Sequence, residues 1–438
     1  MLTAGVRPAI GGRTKGLDLA LVTCVFVVAL QLVPLAEPLR RALSPHLDQV
    51  VSVLWLVSGA SAASRRAPLS IDPAATRFAF ALACGFVLIF WSARDILSRG
   101  GIRVLARGIA SVGLVLALVA LVQHAMAPTR QYGLYPTVFG APFGPYLNRN
   151  DFATWLVMAV PVTVGYGLTR LSARSQSGHH AMPPVGGVTE GMTAWLGVSA
   201  GLMLAALVAS LSRSGLLGSL AALACFLCLS QLRAARAGRP LLVGGLLVAV
   251  MVTAFADLGA LADRLEDTLA SGIGGRRVIW RETWPMVRDF AATGVGAGAY
   301  ARGMLVYQRT TGQFYFNQAH DEYLQLAAEG GLALAVPVII TLAESIRHIA
   351  ARLRSDRTPV FWIRAGAASG LLGVAVQSVW DTGLRMPANA VLFALLAALA
   401  VHPARDETSA RSTSSGADAP PGQTSGREVA GALATSTG

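Results

Sequence analysis

The chain has 438 residues, of which 54% are hydrophobic and only 13% charged, and its mean hydropathy is +0.55. Soluble domains of ordinary composition carry about 25% charged residues, so water-soluble globular classes are excluded. The net charge of +13 is almost purely guanidinium, because Lys15 is the sole lysine beside 35 arginines; such groups suit bidentate phosphate contacts and also anchoring on the inner side of a membrane.

In chain order, Arg7, Arg13 and Lys15 precede the apolar run Leu19–Leu35, which has no small-residue cleavage site and reads as a retained span, not a removed signal peptide. Gln49–Ser64 is apolar but flanked by Arg40, Arg41, Arg65 and Arg66, and is expected to be interfacial or re-entrant; a true crossing would move the N-terminus outside. Further apolar runs fall at Phe78–Ala93, Gly108–Met126, Phe152–Thr169, Met192–Ser212, Ser214–Leu232, Leu241–Ala256, Leu324–Ala343, Ala365–Trp380 and Met386–His402. Each is near the length a helix needs to cross hydrocarbon while satisfying its own backbone, so ten spans are predicted. No internal repeat is visible, which argues against transporter folds built from duplicated halves. Cys24, Cys84, Cys225 and Cys228 all lie in apolar stretches and read as buried small hydrophobes.

With the N-terminus inside, the loops holding Arg94/Arg99/Arg103/Arg107, Arg170/Arg174, Arg233/Arg236/Arg239 and Arg347/Arg352/Arg354/Arg357/Arg364 are cytoplasmic, and with the N-terminal three they carry 17 basic residues. The short loops opposite hold Arg130, Arg149, Arg213 and Arg385, so the positive-inside bias sets the orientation. The fold class is therefore an all-α polytopic membrane bundle of about 10–12 transmembrane helices. It occupies residues 1–402 and includes one large periplasmic loop, 257–323, with short helices. Residues 403–438, rich in Ser, Thr, Gly, Ala and Pro, read as a disordered cytoplasmic tail.

Unusual polar residues collect on the outer face. Asn148-Arg149-Asn150-Asp151 opens a helix, with Asn150 or Asp151 as its cap and Arg149 facing outward. Arg213, in Ser210-Leu211-Ser212-Arg213-Ser214-Gly215, sits where the chain turns between two spans; a lone span-end arginine often snorkels, but small hydroxyl residues and Gly215 here leave room for a group to approach it. In the long loop, helical spacing puts Arg276, Arg277, Trp280, Arg281, Trp284 and Arg288 on one arc and Ile279, Met286 and Phe290 on another. That surface helix is either an interfacial anchor on lipid headgroups or a guanidinium face for a phosphorylated lipid. Gly294-Val295-Gly296-Ala297-Gly298 follows no strand and reads as a turn. His320 lies at the mouth of the next span beside Asp321 and Glu322, where a carboxylate could fix its tautomer and keep it basic. Glu329, about one and a half turns deeper, is a costly acid in an apolar run and is expected to pair with an arginine or line a cavity.

The joint order of Asn148-Arg149-Asn150, Ser212-Arg213-Ser214-Gly215, the loop Arg276…Trp280 with its glycine turn, and His320-Asp321-Glu322-Tyr323-Leu324…Glu329-Gly330-Gly331 resembles the O-antigen ligase and polymerase family of bacterial membrane glycosyltransferases. The resemblance extends to Trp380-Asp381 and Pro387-Ala388-Asn389. Asp321 departs from the family pattern, which often has Asn there, and Asp151 stands where His is frequent. The resemblance implies transfer of a glycan from an undecaprenyl-pyrophosphate carrier to an acceptor hydroxyl, lipid or glycan, at the periplasmic face of the inner membrane in surface polysaccharide biosynthesis. It implies no cofactor, metal or nucleic-acid partner. Arg213 and Arg276, or its neighbour Arg277, would hold the pyrophosphate and His320 would act on the acceptor hydroxyl. Arg149, Asn150, Trp280, Asp321, Tyr323 and Glu329 complete the expected substrate-binding set, with the outer loop closing over the sugar. A chain-extending polymerase or protein O-glycosylating enzyme of the same fold would differ in acceptor only; a secondary transporter, with Glu329 and Arg213 as coupling residues, is the alternative of another class.

Overall fold

The computed structural model describes residues 14–58, 66–132, 134–137, 142–177, 188–233, 273–311 and 315–402. Thirteen α-helices lie among the described residues: α1 (Lys15–Leu30), α2 (Glu37–Leu43), α3 (Leu47–Ser58), α4 (Pro73–Arg99), α5 (Ile102–Met126), α6 (Arg149–Ser177), α7 (Val188–Ala209), α8 (Arg213–Gln231), α9 (Ile273–Asp289), α10 (Tyr300–Tyr307), α11 (Glu322–Ser355), α12 (Phe361–Gln377) and α13 (Pro387–Val401). The only strands among them are two-residue pairs, Leu35–Ala36 with Arg66–Ala67 and Arg130–Gln131 with Tyr135–Pro136.

The all-α polytopic expectation holds. Six helices, α4 to α8 and α11, are long and apolar enough to cross a membrane. Helices α1, α12 and α13 are shorter, at 16, 17 and 15 residues. Nine of the ten predicted spans fall on these helices; Leu241–Ala256 lies outside the described residues, as do 257–272 of the loop and 403–438. The cysteines depart from expectation. None is buried: Cys24, Cys84 and Cys225 are partly exposed and Cys228 exposed, and none forms a disulfide; Cys24 lies 3.7 Å from Thr341 Oγ1.

Helices α6 and α12 form the centre of the bundle. Glycines on α12 permit their close approach: a Cβ on Gly366 would land on the Pro161 carbonyl, and one on Gly370 would lie 2.9 Å from the Met158 oxygen. Small residues at such crossings let backbones pack directly, the main source of helix association where lipid removes the hydrophobic drive. At the end away from the candidate site, Arg364 is not the loop residue the charge count assumed. It is fully buried on α12, pairs with Asp356 at 3.2 Å, and donates to the carbonyls of Ala400 (2.9 Å) and His402 (2.8 Å). Those acceptors sit at the end of α13, where carbonyls lack intrahelical partners.

Helix α3 has 12 residues, too few to cross. The antiparallel pairing Leu35↔Ala67 and Ala36↔Arg66 brings the chain before and after it to one place. Its Leu47, Val50 and Leu54 join Met286, Phe290, Tyr300 and Met304 in a second hydrophobic core, so the described part of this segment packs on the loop helices α9 and α10; residues 59–65 lie outside the described residues.

Helix α11 is broken at Gly331, whose φ of 54° and ψ of −159° no side-chain-bearing residue readily adopts. The backbone groups freed by the break bond to the turn after α9. Val295 and Gly296 donate N–H to the oxygens of Ala328 (2.9 Å) and Glu329 (3.0 Å), while Leu332 and Ala333 donate to those of Ala291 (2.8 Å) and Ala292 (3.0 Å). Gln31, just past α1, adds three more bonds, to Thr293 and Glu329 carbonyls and from the Ala297 N–H. The glycine turn has the expected conformation, with positive φ at Gly294, Gly296 and Gly298.

Candidate active site

One end of the bundle gathers the starts of α6, α8 and α11, the segment after α12, and α9. Asn148 Oδ1 accepts the Asn150 N–H at 2.9 Å, so the cap of α6 falls on Asn148 and not on Asn150 or Asp151. This releases the Asn150 side chain, whose Oδ1 accepts from Ser212 Oγ at 2.8 Å. Ser212 in turn caps α8 by accepting the Gly215 N–H at 3.2 Å, which places Arg213 as the first residue of α8. At Gly215 a Cβ would meet Ala153 of α6 at 2.6 Å, so its smallness serves the α6–α8 crossing.

Asp381 is the member that sequence reasoning did not single out as functional. It is 1% exposed, accepts from Ser214 Oγ at 3.2 Å and takes the Thr382 N–H at 2.9 Å. The adjoining Thr382 donates to Gln318 Oε1 at 2.7 Å, and Glu322 N–H donates to the Ser378 carbonyl at 2.9 Å, tying the histidine segment to the end of α12.

His320 itself has a left-handed backbone, φ 51°. A non-glycine residue is held there only by its surroundings. Its neighbour Ala319 supplies them: the Ala319 N–H bonds to Gln325 Oε1 at 2.9 Å, and its carbonyl accepts the Trp280 indole N–H at 3.0 Å. Trp280 is thus a brace between α9 and the histidine. Nδ1 of His320 is buried with no hydrogen-bond partner among the described residues.

The segments that carry the three residues expected to do the chemistry are tied together: Ser214, next to Arg213, bonds to Asp381, and Trp280, one turn from Arg276, bonds to Ala319, next to His320. Burial pushes the His320 pKa down; Asp381 opposes this and the Arg276 charge adds to it. Burial likewise lowers the Arg276 pKa, with Asp381 opposing and the like charge of Arg213 reinforcing. Arg213, Arg276, His320 and Asp381 therefore share one electrostatic field although 168 positions separate the first from the last. Of the two adjacent loop arginines, Arg276 is half-buried toward this field while Arg277 is exposed.

The remaining candidates divide. Asp321 does not fix the histidine tautomer: it caps α11, its Oδ1 taking the N–H groups of Tyr323 and Leu324 at 3.0 Å each, and Asp381 is the carboxylate acting on His320. Glu329 is buried and paired, as expected of an intramembrane acid, with both oxygens 3.1 Å from Arg385 Nη1; Glu322 forms a second ion pair with Arg385 at 3.4 Å. Tyr323 is exposed and donates to the Ala375 carbonyl at 2.7 Å. Arg149 is half-buried at the first turn of α6. Glu329 and Tyr323 thus brace the site's elements and do not face the cationic pair.

Residues 198–339 match the family model described as O-antigen ligase. No curated protein matches the chain. The matched segment holds Arg213, Arg276, Trp280, His320, Asp321 and Glu329, whereas Asn150, Asp381 and Arg385 lie beyond it. Over that segment, about a third of its length, the chain is similar to the O-antigen ligase family.

Proposed function

We propose that this protein transfers a glycan from an undecaprenyl-pyrophosphate carrier to an acceptor hydroxyl, as O-antigen ligases do, at the periplasmic face of the inner membrane. The observation that supports the reading is the bonding of the Arg213 turn to Asp381 through Ser214, and of α9 to the histidine segment through Trp280, which puts Arg276, His320 and Asp381 in one electrostatic field at one end of the bundle. The acceptor oxygen attacks the anomeric carbon, the bond from that carbon to the pyrophosphate oxygen breaks, and the carrier pyrophosphate leaves with the electron pair. Negative charge grows on the leaving group, and the guanidinium groups of Arg213 and Arg276 stabilise that charge. The acceptor proton passes to His320. Its lowered pKa keeps the imidazole neutral near pH 7 and so able to accept, and Asp381 favours the imidazolium as it forms. The donor is already activated, so nucleotide and metal have no step to perform.

Purified protein reconstituted with a lipid-pyrophosphate glycan and candidate acceptors tests this. Wild type is expected to transfer the glycan with or without chelator, and His320→Ala to lose about 10²–10⁴-fold in turnover while still retaining donor in a pull-down. Wild-type turnover in His320→Ala rules the imidazole out as base.

A further inference from the structure

A cavity of about 440 Å³ opens beside α9, lined by Trp280, Arg281, Trp284, Asp321 and Leu324. From its geometry we propose that it is the subsite for the acceptor's terminal sugar; this rests on the glycosyltransfer reading above.

Trp280 and Trp284 stand one turn apart on α9, where side chains four positions apart share a face. The Trp280 ring is held by its bond to the Ala319 carbonyl. Trp284 is 55% exposed, on a helix whose Met286 side chain is fully buried. A fixed indole beside an open one forms a platform. Aromatic faces carry negative quadrupole charge, which attracts the C–H face of a pyranose. The rim supplies partners for hydroxyls, each of which offers one donor and two acceptor sites. Asp321 Oδ1 is occupied by two backbone N–H groups, which leaves Oδ2 to accept, and the exposed Arg281 guanidinium forms no ion pair among the described residues. The volume lies in the range of roughly 300–1,000 Å³ usual for small-molecule sites.

Position selects the acceptor over the donor. The donor diphosphate belongs against Arg213 and Arg276, which act on Asp381 and His320. The cavity is lined by none of these; its exposed members are Arg281 and Trp284, and it is bordered by Asp321, the residue next to His320. A sugar seated there lies one residue along the chain from the imidazole that would take its hydroxyl proton.

The test measures binding of a lipid-free lipooligosaccharide core to the full-length protein in detergent, alongside transfer kinetics with the same acceptor. Trp284→Ala and Arg281→Gln, both at exposed positions, are expected to raise the core's Kd and its KM about tenfold or more while leaving donor KM unchanged. Unchanged Kd and KM in both variants, or no saturable binding by wild type, overturns the subsite. An effect seen only in anionic nanodiscs and absent in detergent assigns Trp284 to membrane anchoring and overturns it as well. Trp284-dependent binding without wild-type transfer leaves the subsite standing and removes the enzymatic reading; normal transfer with unchanged acceptor KM does the reverse.

Discussion

Replacing Arg276 by Gln removes one of two guanidinium groups from the proposed leaving-group site while keeping a side chain of similar length. Arg276 makes no hydrogen bond or ion pair among the described residues and is half-buried, so its loss leaves no hydrogen-bond partner stranded, although the buried Asp381 loses a nearby opposite charge, and the melting temperature in detergent should fall by only a few degrees, about 2–4 °C. Its charge acts on a group whose own charge grows during the reaction. Removing one such preorganised donor costs about 2.7–4 kcal/mol of transition-state stabilisation, a loss of about 10²–10³-fold in kcat. Arg213 remains, which is why activity is reduced and not abolished. Arg276→Lys keeps the charge but not the planar fork and should fall between the two. The assay is initial-rate transfer from a lipid-pyrophosphate glycan at saturating acceptor. A kcat within threefold of wild type for Arg276→Gln refutes the placement of the pyrophosphate on this side of α9.

Three other perturbations separate chemistry from architecture. His320 must be neutral to accept a proton, so the rate should fall as pH drops through its pKa, which lies below the ordinary histidine value; Asp381 raises that pKa, and Asp381→Asn should therefore move the acid limb of kcat/KM to lower pH, with a move upward contradicting the assignment. Glu329→Gln leaves the partly buried Arg385 with Glu322 alone and should destabilise the protein by about 2 kcal/mol in reversible denaturation in mixed micelles, an effect under 0.5 kcal/mol ruling out the pair as structural. Gly331→Ala puts a Cβ 2.7 Å from the Ala291 oxygen at a glycine-only backbone conformation, and should sharply lower the yield of monodisperse protein; wild-type yield and melting would mean that α11 is unbroken there.

The cationic and imidazole members of the site were legible because each carries a local signature: an arginine beside a helix cap, an arginine and tryptophan at helical spacing, a histidine at the mouth of a span. Asp381 was not, since in sequence it is only a polar residue past the end of an apolar run, and its role arises from contacts with Ser214 and the histidine field. The same limitation exchanged two carboxylates. Asp321 is adjacent to His320 along the chain, yet adjacency at a helix start favours capping, while the distant Asp381 arrives through tertiary packing. For Glu329 the sequence offers an arginine partner or a cavity lining, and the choice of Arg385 depends on how α11 meets the segment before α13. The break at Gly331 was invisible for a related reason: the glycine pair reads as an ordinary flexible spot in an apolar helix until the turn at 291–296 is seen bonded into it.

That break bears on how bulky reactants enter. A lid swinging over the sugar would have to unfasten four main-chain bonds, each worth about 1 kcal/mol, together with the Gln31 clasp, all at a seam shared with a buried ion pair. The part of the outer loop described from α9 onward is riveted to α11 through this turn. Under the proposed function, bulky reactants would then pass laterally between helices or through the mouth beside α9, as into a rigid vise with side entrances.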